Sequence, residues 1–383
     1  MLLKKAQSTI KWANTVMRVA QKGTYDNIEI RQIAGDDIEK VAKGLENQYI
    51  LGLKNHFITI SKGIIKRGSG MSTVSIVIAT YKGSKYIGEQ LESIRVQDRP
   101  ADEVWILDDR SPDNTATIVS DFIENNKLRN WHLIVNEKNL GWKRNFRKGF
   151  DFCTGDYIFP CDQDDIWHKD KLRRMIAVME KNPNIKLLTS NYNVFTSNGS
   201  NIEEWYKKAA EGQKDDDTVE QIPFTPQWAF IVRPGCSYCV RRSFFDSIKK
   251  EWNDEGAHDA QLYRWAHMLN GNYVYNAKLM DYRRHGDNET AKADKSREKR
   301  IQDIDYFLEF HNKYLTWCKL HSDVVKNEVV IVLKHCISAL KLRKKCIENR
   351  RVYLWPVIIV RYADTMKSWK GCLVDLKCSI GRR

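Results

Sequence analysis

Gly155-Asp-Tyr-Ile-Phe-Pro-Cys-Asp-Gln-Asp-Asp-Ile-Trp167 is an apolar run that ends in acid. Tyr157 to Cys161 reads as a buried strand, closed abruptly by the carboxylates of Asp162, Asp164 and Asp165. Anions crowded at the end of a buried strand are costly unless a cation or a positive ligand compensates them. The carboxyl ends of strands are also where open α/β sheets bind ligands. Asp-x-Asp at such a point suits Mg²⁺ or Mn²⁺, hard cations that take oxygen ligands and keep positions open for a substrate's phosphates. The plainer alternative is a solvated acidic turn capping a helix that begins near Lys169.

Upstream the same texture repeats. Val74 to Ala79 is a buried strand followed by the loop Thr80-Tyr-Lys-Gly83 and a helix from about Tyr86 to Gln97. Glu103 to Leu107 is a second strand ending in Asp108-Asp-Arg-Ser111, and Ser111-Pro-Asp-Asn114 starts a helix through Ile123. Trp131 to Val135 is a third strand, and Asn139-Leu-Gly-Trp-Lys-Arg-Asn145 leads into a helix through Phe152. Strand–helix alternation with right-handed crossovers predicts an α/β fold: a mostly parallel sheet with helices on both faces. The chain has no Gly-x-Gly-x-x-Gly or Walker loop, so a phosphate ligand is expected to be held by metal and basic side chains.

Downstream, Lys186 to Ser190 predicts another strand, and Ser197 to Thr218 a solvated surface loop. Asp215-Asp-Asp217 in that loop competes poorly as a metal motif, because no apolar strand leads into it. Gly256-Ala-His-Asp-Ala-Gln-Leu262 puts Asp259 at the start of a helix, where by itself it reads as a helix cap.

Four motifs stand in order: Ser75-Ile-Val-Ile-Ala-Thr-Tyr81, Leu107-Asp-Asp-Arg-Ser-Pro-Asp113, Asn139-Leu-Gly141 and Asp162-Gln-Asp-Asp-Ile-Trp167. Together they resemble the family 2 glycosyltransferases, inverting enzymes of the Rossmann-like GT-A fold that use nucleotide-diphospho-sugars. The Asp-Gln-Asp-Asp-Ile-Trp variant is most similar to bacterial rhamnosyltransferases of capsule, O-antigen and cell-wall polysaccharide synthesis. The resemblance covers residues 73–290.

It implies roles for named residues. Thr80, Tyr81, Asp109 and Arg110 hold the nucleotide, with Tyr81 near the base and Asp109 accepting a base N–H, while Asp108 is structural. Asp162 faces the ribose or sugar, Asp164 ligates Mn²⁺ or Mg²⁺ on the diphosphate, and Asp165 caps the next helix. Gly235 and Cys236, in Arg233-Pro-Gly-Cys-Ser-Tyr-Cys-Val240, lie beside the acceptor, and Trp228 either stacks a sugar or fills the core. Asp259 matches the catalytic base, and His258 is structural or touches the acceptor. Ala260 stands where relatives often carry Trp or another bulky residue. In Tyr282-Arg-Arg-His-Gly-Asp-Asn288, His285 completes the metal shell or binds diphosphate, and Arg283 or Arg284 neutralises phosphate. The expected donor is dTDP-rhamnose or a UDP-hexose, and the acceptor a glycan or lipid-linked glycan. The alternative is a non-catalytic nucleotide- or carbohydrate-binding subunit of a polysaccharide assembly complex.

The net charge of +14 lies in the flanks. Residues 291–383 hold 21 Lys+Arg against 10 Asp+Glu, and residues 1–73 hold 12 against 6. A nucleic-acid enzyme would gather positive charge around its site, so no nucleic-acid partner is expected; an anionic membrane or acidic partner fits better. Residues 1–72 read as a helical extension and linker, with basic amphipathic residues 1–22 and a second helix from Asp36 to Ile50. The catalytic domain is expected over 73–294 and a basic helical region over 295–383. In the latter, Trp355, Ile359, Tyr362, Met366, Trp369, Leu373 and Leu376 form an apolar seam at alternating four- and three-residue steps. The seam packs on the catalytic domain or a second subunit, giving a homo-oligomer, or lies on an anionic membrane. Nine cysteines without framework spacing, and no apolar run near the ~18 residues of a membrane span, predict a cytoplasmic protein with reduced thiols, peripheral at the plasma membrane if the seam meets lipid.

Overall fold

Strand β1 (Val74–Thr80) is β-branched and buried along almost its whole length, as a central parallel strand covered on both faces must be. It pairs in parallel with β2 (Glu103–Asp108) and β4 (Tyr157–Cys161), and β2 pairs in parallel with β3 (Trp131–Val135). The intervening helices are α1 (Ile87–Arg95), α2 (Thr115–Asn125) and α3 (Trp142–Phe152). Helix α2 starts at Thr115, later than the sequence suggested, because Ser111 N and Oγ bond back to Asp108 and hold that segment as a turn.

The computed structural model describes residues 72–196, 204–231, 233–285 and 296–380, which belong to one unit beginning at Ser72. The helices expected over 1–22 and 36–50, most of the linker, and Gly286–Asn288 lie outside the described residues.

Beyond β4 come β5 (Ile166–Trp167), α4 (Lys171–Lys181), β6 (Leu187–Thr196), α5 (Glu204–Glu211), β7 (Val219–Gln221), β8 (Tyr238–Arg241), α6 (Arg242–Ile248), α7 (His258–Met268) and β9 (Asn272–Arg284). The sheet order is β3-β2-β1-β4-β8-β6-β9-β5, with β7 also on β9. The long pairings are parallel; the antiparallel ones, at β8, β5 and β7, are short. The expected mostly parallel α/β sheet is present, extended by strands that alternate too briefly to show in the sequence.

Side chains alternate across the sheet into two cores. Val74, Ile76 and Ile78 meet α1, α2 and α4; Val77, Leu107 and Ile158 meet α3, α7 and the C-terminal helices. Helix α3 lies close on β1 and β2 at Gly149, where a Cβ would sit 2.2 Å from Val77 Cγ2.

The C-terminal region is helical: α8 (Arg297–Leu320), α9 (Asn327–Glu348), α10 (Trp355–Tyr362) and α11 (Trp369–Ile380). Tyr314 and Cys318 of α8 and Leu333 and Cys336 of α9 share the core of Trp228 and Trp265. The expected continuous seam is broken. A 3₁₀ turn at Ala363–Thr365 and extended Met366 separate α10 from α11, so Trp355 and Met366 are buried while Ile359 and Leu373 are exposed. No helix among the described residues is long and apolar enough to cross a membrane.

Candidate active site

The parallel register brings the carboxyl ends of β1, β2 and β4 together, Thr80 opposite Asp108 and Ile78 opposite Cys161. Thr80 is buried and its hydroxyl donates to Asp108 Oδ2 (2.9 Å), which also accepts from Ser111 Oγ (2.6 Å). Both loops leave their strands through left-handed residues, Lys82 at φ 52° and Arg110 at φ 58°. Non-glycine residues seldom adopt that backbone, and it clusters at binding sites. Arg110 is exposed and donates to the Glu137 carbonyl. Tyr81 is exposed beside the site, and the Gln163 amide grips its backbone from both sides, accepting its N–H (2.9 Å) and donating to its carbonyl (3.0 Å).

Asp109 departs from its expected role. It is buried, its Oδ1 accepts from Leu140 N (2.7 Å) and Asn136 Nδ2 (2.9 Å), and its Oδ2 accepts from Gly141 N (2.8 Å). Three internal donors make it the anchor of the Asn139-Leu-Gly141 loop rather than an open acceptor for a base.

The triple acid divides its work. Asp165 is fully buried, and its Oδ1 accepts the Arg283 backbone N–H (3.0 Å), so it ties β9 to the loop instead of capping α4; burial, Asp164 and Asp162 push its carboxyl well above the usual range. Asp164 Oδ2 accepts from His285 Nε2 (2.8 Å). Burial, Asp164 and Asp259 push the Asp162 carboxyl up to about 7, and the Cys236 thiol and Lys171 oppose them. Asp162, Asp165 and Cys236 offer ligand atoms within 4.8 Å of one another. Lys171, on α4, is buried beneath them: its ammonium donates to the Cys236 carbonyl (2.7 Å) and lies 3.9 Å from the centre of the Trp167 ring. Burial brings it down to about 8.

Arg283 is used within the protein. Its Nε donates to the Asp164 carbonyl (2.7 Å), its Nη2 pairs with Glu89, and its guanidinium lies over Tyr86 and Phe195. The Arg284 guanidinium lies over the Tyr282 ring.

Opposite the acids, a 3₁₀ turn (Gly235–Ser237) lies against the first turn of α7. A Cβ on Gly235 would sit 2.6 Å from His258 Nε2 and 3.0 Å from Asp259 Cβ. His258 is buried against Phe146 (ring centres 3.8 Å apart), neither ring nitrogen has a hydrogen-bond partner among the described residues, and burial pushes it down to about 4. Asp259 Oδ1 accepts from Ala260 N (2.6 Å).

Trp228 stacks no sugar. It is 1% exposed, ringed by Phe224, Phe310, His311 and Tyr314, because α8 closes over it. Asp215 and Asp217 are also structural: Asp215 accepts from Lys278 N (2.9 Å), and Asp217 accepts from Tyr275 Oη (2.8 Å) and pairs with Arg174.

The profile of the family described as "Glycosyl transferase family 2" matches residues 75–246. A dTDP-rhamnosyl transferase, RfbG of Shigella flexneri, is 30% identical over 226 residues, 55% of this chain and 73% of that protein. The chain belongs to glycosyl transferase family 2. The amylovoran biosynthesis glycosyltransferase AmsB of Erwinia amylovora is 34% identical over 109 residues, 28% of this chain and 36% of that one. Among solved structures, S. aureus TarS 1–349 has the same GT-A fold, with a TM-score of 0.51 over 80% of this chain and 90% of that one at 16% identity.

In this glycosyltransferase the loops after β1, β2 and β4 converge with the start of α7 and the end of β9. Sequence reading missed Gln163, Glu89 and Lys171. Gln163 lay inside the motif already quoted, whereas a lysine in the first turn of an amphipathic helix gives no sign that it is buried.

Proposed function

We propose that this chain moves one sugar, with inversion, from a nucleotide-diphospho-sugar to a hydroxyl of a growing bacterial surface polysaccharide. dTDP-rhamnose is the favoured donor and a UDP-hexose the second. The observation that carries the reading is geometric: the Gly235–Ser237 turn touches both groups of acids, with Cys236 within 4.8 Å of the Asp162 and Asp165 oxygens and a Cβ on Gly235 falling 3.0 Å from Asp259 Cβ. The donor preference is supported by the name of RfbG, and the polymer by that of AmsB. A TarS structure in complex with UDP-GlcNAc has the same fold at a TM-score of 0.51.

Carboxylate oxygens fit a hard divalent cation, and the buried Asp162 and Asp165 carboxyls, both pushed up by burial and by neighbouring carboxylates, mark crowded acid that a cation would relieve. Asp164, with His285 and Asp162 beside it, would hold Mn²⁺ or Mg²⁺, which when bound offsets charge on the departing nucleoside diphosphate. Arg284 and Arg110 add cationic contacts to the phosphates. Asp259 lies in the first turn of α7. Its Oδ1 is held by Ala260 N–H, so Oδ2 takes the acceptor proton as the acceptor oxygen bonds to the sugar's anomeric carbon. The bond from that carbon to the diphosphate breaks on the opposite face.

The test is nucleoside-diphosphate release from a panel of dTDP-, UDP- and GDP-sugars, with Mn²⁺ or with EDTA, for wild type, Asp164→Asn and Asp259→Asn. Release from one donor, lost on chelation and in both variants, is expected. No turnover together with no metal-dependent donor binding would leave the non-catalytic subunit.

A further inference from the structure

Helix α10 buries one side and leaves the other oddly apolar. Trp355 and Ile358 pack with Cys346, Met366 and Cys372, and Trp355 Nε1 donates to Ser379 Oγ of α11 (3.3 Å). The opposite face of a helix at a protein–water boundary is normally polar. Here it carries Val357 and Val360, the latter 82% exposed, with Ile359 exposed on the flank, and Tyr353, just before the helix, is 69% exposed. On α11, Leu373 and Ile380 are exposed with exposed Lys377 between them. Single exposed apolar residues are ordinary, but Tyr353, Val357 and Val360 recur at four- and three-residue steps and so fall on one side of the chain, away from buried Trp355 and Ile358.

Basic residues outnumber acids on the exposed surface of this segment. Arg350, Arg361, Lys367 and Lys377 are exposed, while the acids of this segment are engaged: Asp364 with His335, and fully buried Asp375 with Arg300 and Arg343. We propose that this face docks on an anionic lipid bilayer, the apolar side chains entering the acyl boundary and the basic ones meeting phosphates. A second copy is the poorer occupant, because a two-fold contact would set the same basic rim against itself. The inference is independent of the transferase chemistry.

The experiment is co-sedimentation of the full chain with vesicles of phosphatidylcholine alone or mixed with phosphatidylglycerol. Binding to the mixed vesicles is expected, weakening as salt screens the charges. Val357→Asp/Val360→Asp is expected to reduce partitioning by about tenfold or more. Tyr353→Ser/Val360→Ser, a milder pair, should weaken it less. Both pairs alter exposed positions, and an unchanged thermal melt checks their folding. The proposal is overturned if wild type does not sediment with anionic vesicles at low salt. It is equally overturned if both variants bind like wild type, or if light scattering shows a dimer that the double Asp variant dissociates.

Discussion

Asp164 and His285 stand 121 positions apart in the chain, and their side chains meet at 2.8 Å, Nε2 donating to Oδ2. Both are largely buried, so the contact fixes the loop after β4 against the end of β9. Together with Arg283, which spans the Asp164 carbonyl and Glu89, it sets the position of the acid assigned to the metal.

His285→Ala should therefore lower turnover about 10- to 100-fold, the usual cost of losing a partner that orients or completes a metal site, and raise the Mn²⁺ concentration needed for half-maximal rate. His285→Asn, which keeps a donor, should recover part of the loss. Metal titrations of sugar-nucleotide turnover measure both effects. Unchanged metal dependence in the alanine variant would separate His285 from the site's chemistry.

Gly235→Ala tests the wall opposite. The new methyl would sit 2.6 Å from His258 Nε2 and 3.0 Å from Asp259 Cβ, so the first turn of α7 must shift. A base displaced by a fraction of an ångström to 1 Å should cost up to about a hundredfold in kcat, while donor affinity stays near wild type. Steady-state kinetics with equilibrium donor binding distinguish this from general misfolding, which would damage both.

How far the sequence foretold this site depends on how local each signal is. Parallel strands buried on both faces are written as continuous apolar runs, so Val74 to Ala79 and Tyr157 to Cys161 were legible along with the acids that end them. Asp259 was legible as the opening of a helix. Long-range packing was not. Nothing around Trp228 announces that α8 will cover it, and nothing in Asp108-Asp109 tells which carboxylate the Asn139-Leu-Gly141 backbone will enclose. The short strands β5, β7 and β8 hold two to four residues each, too few for a period to emerge.

Trp228→Phe turns that correction into a measurement. The indole fills a sealed pocket among Phe224, Phe310 and Tyr314, so the smaller ring should leave a void and lower stability by about 1–3 kcal/mol. The acceptor KM should stay within a factor of about two, because no substrate reaches the ring. A large rise in KM with an unchanged melting temperature would return Trp228 to the acceptor site.

His258 supplies the pH test. Its ring is buried against Phe146, and burial pushes it from an unfolded value of 6.5 down to about 4. As pH falls below 6.5 the unfolded chain binds a proton that the folded chain refuses until near 4, so stability is present above 6.5 and drains across that interval. Asp162 and Asp165 act in the opposite sense: raised in the fold, they take protons there before the unfolded chain does, and acidification relieves their repulsion. Both acids remain in His258→Phe, so the difference between the two proteins isolates the imidazole. Denaturant unfolding at pH 7.5 and 5.0 should show the wild type losing about 2 kcal/mol more than the variant over that step. Equal pH slopes in the two proteins would mean that the His258 imidazole takes up its proton in the fold as readily as in the unfolded chain.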